Sequence, residues 1–160
     1  MTSLVSITRS LPLSCDSIVP LLRAQLEVLE EASEHGTVVL AARIPGAGRI
    51  AVPVRLRVNY PAPRSPRFGL AIAALNASAL YPRFRGELEP IELGAAVTSL
   101  KLSGEYQVPF GLLGRAFDAT AARGIAPRGL EDMLDRLAAD ILAGAARQSE
   151  TAYRAGRASC

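Results

Sequence analysis

The stretch Thr98-Ser99-Leu100-Lys101-Leu102-Ser103-Gly104-Glu105-Tyr106-Gln107-Val108-Pro109-Phe110-Gly111 decides the fold. Thr98, Leu100, Leu102, Gly104, Tyr106 and Val108 fall on one side of an extended chain, and Ser99, Lys101, Ser103, Glu105 and Gln107 on the other. That alternation is a strand with one dry face and one wet face. After the Pro-x-Gly turn the apolar period changes from 2 to about 3.6, through Leu113, Ala116 and Phe117 and then Leu130, Met133, Leu134, Leu137, Ile141 and Leu142. A helix laid back over a half-buried sheet is the simplest packing of the two.

Upstream, the pattern supplies the rest of that sheet. Leu4 to Leu11 alternates as a first strand, and Ser14, Asp16 and Ser17 offer N-caps for a helix. Its apolar stripe is Ile18, Leu21, Leu22, Leu26 and Leu29, and Gly36 ends it. Thr37 to Arg43 reads as a strand, Pro45-Gly46-Ala47-Gly48 as a turn, and Ile50 to Asn59 as the cleanest strand, with Pro53 calling for an edge or a bulge. The prolines at 61, 63 and 66 mark a loop; strands follow at Phe68 to Ala74 and Leu80 to Glu89, then Pro90 and Gly94 turn the chain. Consecutive strands joined by short turns make an antiparallel meander, so the class is α+β.

Length adds a condition. A straight helix from Phe110 to Arg147 would span about 57 Å at about 1.5 Å per residue, whereas a domain of this size has a radius of gyration of about 15 Å. The helix is therefore expected to bend or break at Gly124-Ile125-Ala126-Pro127-Arg128-Gly129, where Pro127 removes a donor. Residues 1–147 are read as one domain and residues 148–160 as a flexible tail.

Composition excludes several classes. Of the 160 residues, 49% are hydrophobic and 21% charged, which fits a folded globular chain. The net charge of +3 comes from arginines spread along the sequence with no basic tract, which argues for a dispersed solvated surface and against nucleic-acid binding. No run approaches the roughly 20 apolar residues of a membrane helix, and Arg9 interrupts the N-terminal apolar segment, so a cytoplasmic location is expected. His35 is the only histidine and Cys15 and Cys160 the only cysteines, so neither a metal site nor a nucleophilic triad is expected. Glu30, Glu31 and Glu34 read as a solvated helix face, and Arg115 and Asp118 as a surface pair.

Leu102-Ser103-Gly104-Glu105-Tyr106-Gln107-Val108-Pro109-Phe110-Gly111, continuing through Gly114 to Asp118, resembles the "L-S-G-x-Y-x-P-P-x-G-x-x-G-x-x-x-D" stretch of the START-like (SRPBCC, polyketide cyclase/dehydrase) superfamily. Leu80-Tyr81-Pro82-Arg83-Phe84-Arg85-Gly86-Glu87-Leu88 is similar to the strand that precedes it there. Val108 stands where the pattern has its first Pro, and Pro127-Arg128-Gly129 where it runs on as helix. The resemblance implies a helix-grip fold: a curved antiparallel sheet around a long C-terminal helix, with an apolar cavity between them.

On that reading Tyr106, Leu100, Leu102, Leu113, Phe117, Met133, Leu137, Tyr81 and Phe84 are the candidate ligand-binding residues, with Tyr60 a second candidate for the entrance. Tyr106 is the polar group of interest, although a packed ring with a satisfied hydroxyl is the plainer reading. The expected function is binding of a hydrophobic small molecule such as a lipid or polyketide, with no cofactor. An aromatase/cyclase-like enzyme using Tyr or Arg groups is the alternative, and an interaction module with a filled core is the third reading. A homodimer stays open.

Overall fold

The structure, a computed structural model, describes residues 2–44, 48–62, 66–75, 83–107 and 119–158. In chain order the elements are β1 (Thr2–Leu11), α1 (Cys15–Glu34), β2 (Val39–Ile44), β3 (Gly48–Asn59), β4 (Phe68–Ala74), β5 (Arg83–Gly94), β6 (Val97–Gln107) and α2 (Ala119–Ala158). The six strands form one antiparallel sheet in the order β1-β6-β5-β4-β3-β2. Only β1 is out of sequence, paired along its whole length with β6 from Thr2↔Gln107 to Leu11↔Thr98.

The sheet is curled. Strands lie about 4.8 Å apart, so the ends of a flat six-stranded sheet would be about 24 Å apart, whereas α2 packs against both end strands, β1 and β2. A helix only about 10–12 Å across can do this when the sheet wraps it. Gly86 and Gly104, paired in register on the inner face, give the curl room.

The expected inner face of β6 is the observed one. Thr98, Leu100, Leu102 and Tyr106 are buried, with Ser99 buried beside them at the start of the strand. Leu100, Leu102 and Tyr106 join Phe84, Leu88, Phe68, Leu70, Ile72, Val54 and Leu56 from the neighbouring strands in one apolar cluster. Ile18, Leu22 and Leu26 of α1 and Leu130, Leu134, Leu137 and Ile141 of α2 close it from the concave side. Each such side chain contributes roughly 1.5–3 kcal/mol of burial free energy, which is what holds two helices inside the sheet.

Ser14 caps α1, its hydroxyl accepting from the Ser17 N–H at 3.3 Å, so Pro20 lies in the second turn. At the other end the sequence reading of a solvated acidic face fails for Glu30. β3 pairs with β2 through residues 48–53 and with β4 through 54–59, which leaves the second half of β3 with an open edge. The end of α1 covers that edge. The Ser33 hydroxyl accepts the Leu56 N–H at 2.9 Å, and Glu30 Oε1 accepts the Val58 N–H at 2.9 Å. A sheet edge with unpaired donors needs such cover. Pro53 sits at the junction where β3 changes partner, so its missing donor interrupts neither ladder.

Three boundaries differ from expectation. β5 runs through Pro90, which pairs with Leu100, to Gly94; β4 pairs with β5 only as far as Leu88, so Pro90 has a strand on one side only, an edge position that tolerates proline. Of the bend or break expected at Gly124–Gly129, the break is not made: α2 is one helix of 40 residues with Pro127 inside it. Nor does the helix end at Arg147; it continues to Ala158. The geometric premise was sound, since such a helix spans about 60 Å at about 1.5 Å per residue. The excess is taken up by projection past the domain, because residues 147–157 are all exposed and carry a polar sequence that needs no burial. The expected first helical segment through Leu113 and Phe117, and the pair Arg115 and Asp118, lie outside the described residues.

Candidate ligand cavity

The end of α1, the start of β2 and the first half of α2 meet around a void. Gly36, at φ +71°, lets the chain leave α1 and turn into β2, a conformation in which a Cβ is strained. The turn is fixed by the Thr37 hydroxyl donating to the Ala32 carbonyl at 2.7 Å and by the Val38 carbonyl accepting the Val54 N–H at 2.9 Å. Residues 37–41 are thereby held below α2, and a cavity of about 240 Å³ remains between them.

Its walls are apolar: Leu29, Val38, Leu40, Met133 and Leu137. Gly129 also lines it, and with no side chain there α2 leaves room at one end. Asp132, Arg136 and Asp140 stand at the mouth in steps of four along one face of α2. All three are exposed, and among the described residues Arg136 makes no ion pair. The site thus has a dry floor and a charged rim, the usual division of labour in small-molecule pockets. Size limits the occupant. A void of about 150 Å³ admits benzene, and pockets for drug-sized ligands begin near about 300 Å³. This cavity suits one or two rings or a short acyl chain.

Of the residues predicted from sequence, Met133 and Leu137 line the cavity. Leu100, Leu102, Phe84 and Tyr106 instead lie packed in the core, with exposures of 0%, 0%, 4% and 3%. Tyr106 is paired in register with Phe84 on one side and Ser3 on the other. Leu113, Phe117 and Tyr81 lie outside the described residues. Sequence reasoning missed Leu29, Val38 and Leu40. Their apolar character was visible, but a cavity formed where a helix end meets a strand start has no periodic signature.

Tyr60 donates to Glu30 Oε2 at 3.3 Å, meets Phe68 edge-on at 6.3 Å between centroids, and carries Arg23 over its face at 5.2 Å. Burial, then the Glu30 and Glu27 charges and the Glu30 hydrogen bond, push its hydroxyl up to about 12 against the opposing effect of Arg23. Tied in this way, Tyr60 does not line the cavity and is a weaker acid than a free tyrosine. Burial, followed by the charges of Glu92 and Asp16, pushes the Cys15 thiol up, which disfavours the thiolate a nucleophile needs. His35 caps α1, its Nδ1 bonded to the Glu31 carbonyl at 3.0 Å.

No family model matches the chain, and no curated protein matches it in sequence. Solved structures do match in shape. A norcoclaurine synthase point mutant from Thalictrum flavum, in complex with a transition-state analogue, superposes with a TM-score of 0.52 at 11% identity, covering 90% of this chain and 96% of its own. Ara h 8.0201 gives 0.53 at 9% identity over 89% and 99%. The Zhui aromatase/cyclase from Streptomyces sp. R1128 gives 0.48 at 14% over 93% and 96%. At such identities the likeness is one of fold. The chain has the START-like, helix-grip fold, as the strand-turn-helix motif suggested.

Proposed function

We propose that this protein binds a small hydrophobic molecule, of one or two rings or a short acyl chain, in the cavity enclosed by the end of α1, β2 and α2. The observation that carries this reading is the 240 Å³ void with apolar walls between the end of α1, β2 and α2. An apolar void of that size forfeits dispersion contacts when empty, and its lining gains them back on binding. Binding is favoured over catalysis by the position of the polar groups. Asp132, Arg136 and Asp140 stand at the mouth, where they can orient a polar end of a ligand, and none lies among the apolar walls. Fold alone does not carry an activity.

Native mass spectrometry of the protein purified from its own host tests this. A bound small molecule at one per chain, released by organic extraction, supports the reading. A protein that arrives empty and takes up no hydrophobic probe removes it.

A further inference from the structure

The arginines that the sequence scatters are gathered by the sheet. Arg55 and Arg57 lie on β3 and Arg83 and Arg85 on β5, all four exposed on the convex face away from the core. β4 runs between them and contributes only small side chains. Arg57 pairs with Ala71 and Ala71 with Arg85 in register, and Arg55 pairs with Ala73 in the next outward-facing row. Two arginine rails therefore flank a strand whose outward positions hold only Gly69, Ala71 and Ala73, and at the Arg57–Arg85 end of it lies an open groove of about 290 Å³.

None of the four guanidinium groups makes an ion pair or hydrogen bond among the described residues, whereas the neighbouring Arg67 on the same face is paired with Glu89 at 3.0 Å. Glu87, next along β5, and Glu105, opposite Arg85 on β6, are the acidic groups at the border. Four unpaired like charges held this close repel one another, and an anionic partner relieves that repulsion.

The dimensions select the kind of partner. Strands flanking β4 are about 10 Å apart, and residues two apart on one strand about 7 Å. An α-helix is about 10–12 Å across with its side chains, and carboxylates at i and i+4 on its surface have Cβ atoms about 6 Å apart. We propose that the convex face of β3, β4 and β5 docks an acidic helix of a partner protein, laid along β4 with small residues on Ala71 and Ala73 and Glu or Asp against Arg55, Arg57, Arg83 and Arg85.

Two other polyanions fit less well. Single-stranded nucleic acid is held by aromatic platforms between basic groups, and the outward-facing residues here include no aromatic ring among those described. An anionic membrane surface is held by basic groups together with inserted apolar side chains. The exposed apolar residue in this row, Leu4, is separated from Arg85 by Glu105.

The test uses the full chain and a fluorescent, helix-stapled peptide with alanines along one face and glutamates on both flanks. The wild-type protein is expected to bind it with an affinity that falls steeply with salt, and Arg57→Glu/Arg85→Glu to weaken it by at least about tenfold. Arg154→Glu, on the projecting end of α2, is expected to leave it unchanged, and unfolding midpoints are measured for both variants to show that they are folded. Equal binding by wild type and the double variant overturns the proposal. So does tighter binding of a single-stranded oligonucleotide or of phosphatidylserine vesicles than of the peptide, since either assigns the face to another class of partner.

Discussion

Gly86 and Gly104 stand opposite each other on the inner face of β5 and β6, and a Cβ added to Gly104 would lie 2.3 Å from the Arg85 carbonyl oxygen. A Cβ on Gly86 would lie as close to the Ser103 carbonyl oxygen and 2.5 Å from the Phe84 ring. At each site the nearest atom is a backbone carbonyl oxygen, so neither can yield by turning a side chain alone. Gly104→Ala is expected to destabilise the fold by about 2–3 kcal/mol, read as a lower urea midpoint with little change in slope. A midpoint within error of the wild type would remove these glycines from the explanation of the curl.

Ser33 is fully buried and its hydroxyl is the acceptor for the Leu56 N–H at the open edge of β3. It also donates to the Glu30 carbonyl at 2.7 Å. Ser33→Ala leaves a buried amide without its acceptor, and the expected cost is about 1–3 kcal/mol. Hydrogen exchange at Leu56 locates the effect: its amide should lose protection before those of β5 and β6.

Tyr60 links stability to alkaline pH. Burial and the neighbouring Glu30 and Glu27 charges push its hydroxyl up to about 12 in the folded protein, above the ordinary tyrosine value of about 10. Between these values the unfolded chain has given up a proton that the native state still holds, so unfolding is favoured as pH rises. The contribution is fully present below pH 10 and is lost as pH rises through 12. Glu30→Gln removes one of the causes and should bring the tyrosinate absorbance transition of Tyr60 back toward neutral pH, with Tyr60→Phe identifying the signal. An unchanged transition would contradict the role given to Glu30.

Arg9 on β1 and Asp135 on α2 form an ion pair with side chains 35% and 53% exposed. At that exposure solvent screens most of the attraction, and Asp135→Asn is expected to cost no more than about 1 kcal/mol. A larger loss in thermal unfolding would mean that this contact, and not apolar packing, holds α2 to the edge of the sheet.

Much of this was legible in the chain. Alternation at Thr98 to Gln107 and at Ile50 to Asn59 placed two strands with the correct faces, because one-sided burial leaves a period of 2. Helix ends were less legible. Pro127 and Gly124 have the chemistry of a break, yet α2 passes through them, since a helix packed on both edges of a sheet draws its stability from tertiary contacts that outweigh one lost donor. Glu30 looked like solvated charge because nothing local announces that Val58 needs an acceptor. The arginine rails and the position of the cavity were invisible for a common reason: each depends on registers and crossings between segments distant in sequence. Met133 and Leu137, expected on the inner helix face from its period, line the cavity; Leu29, Val38 and Leu40 line it from other elements.

Side-chain methyl NMR during titration with a naphthalene-sized ligand such as naphthol is the most direct measurement of the cavity. Saturable shifts at one ligand per chain are expected in Leu29, Val38, Leu40, Met133 and Leu137, with Leu100 and Leu102 unmoved. Met133→Trp, which fills the void from its wall, should abolish them while the protein stays folded. Absence of shifts, shifts centred on Leu100 and Leu102, or unchanged binding by Met133→Trp would contradict a ligand site between α1, β2 and α2.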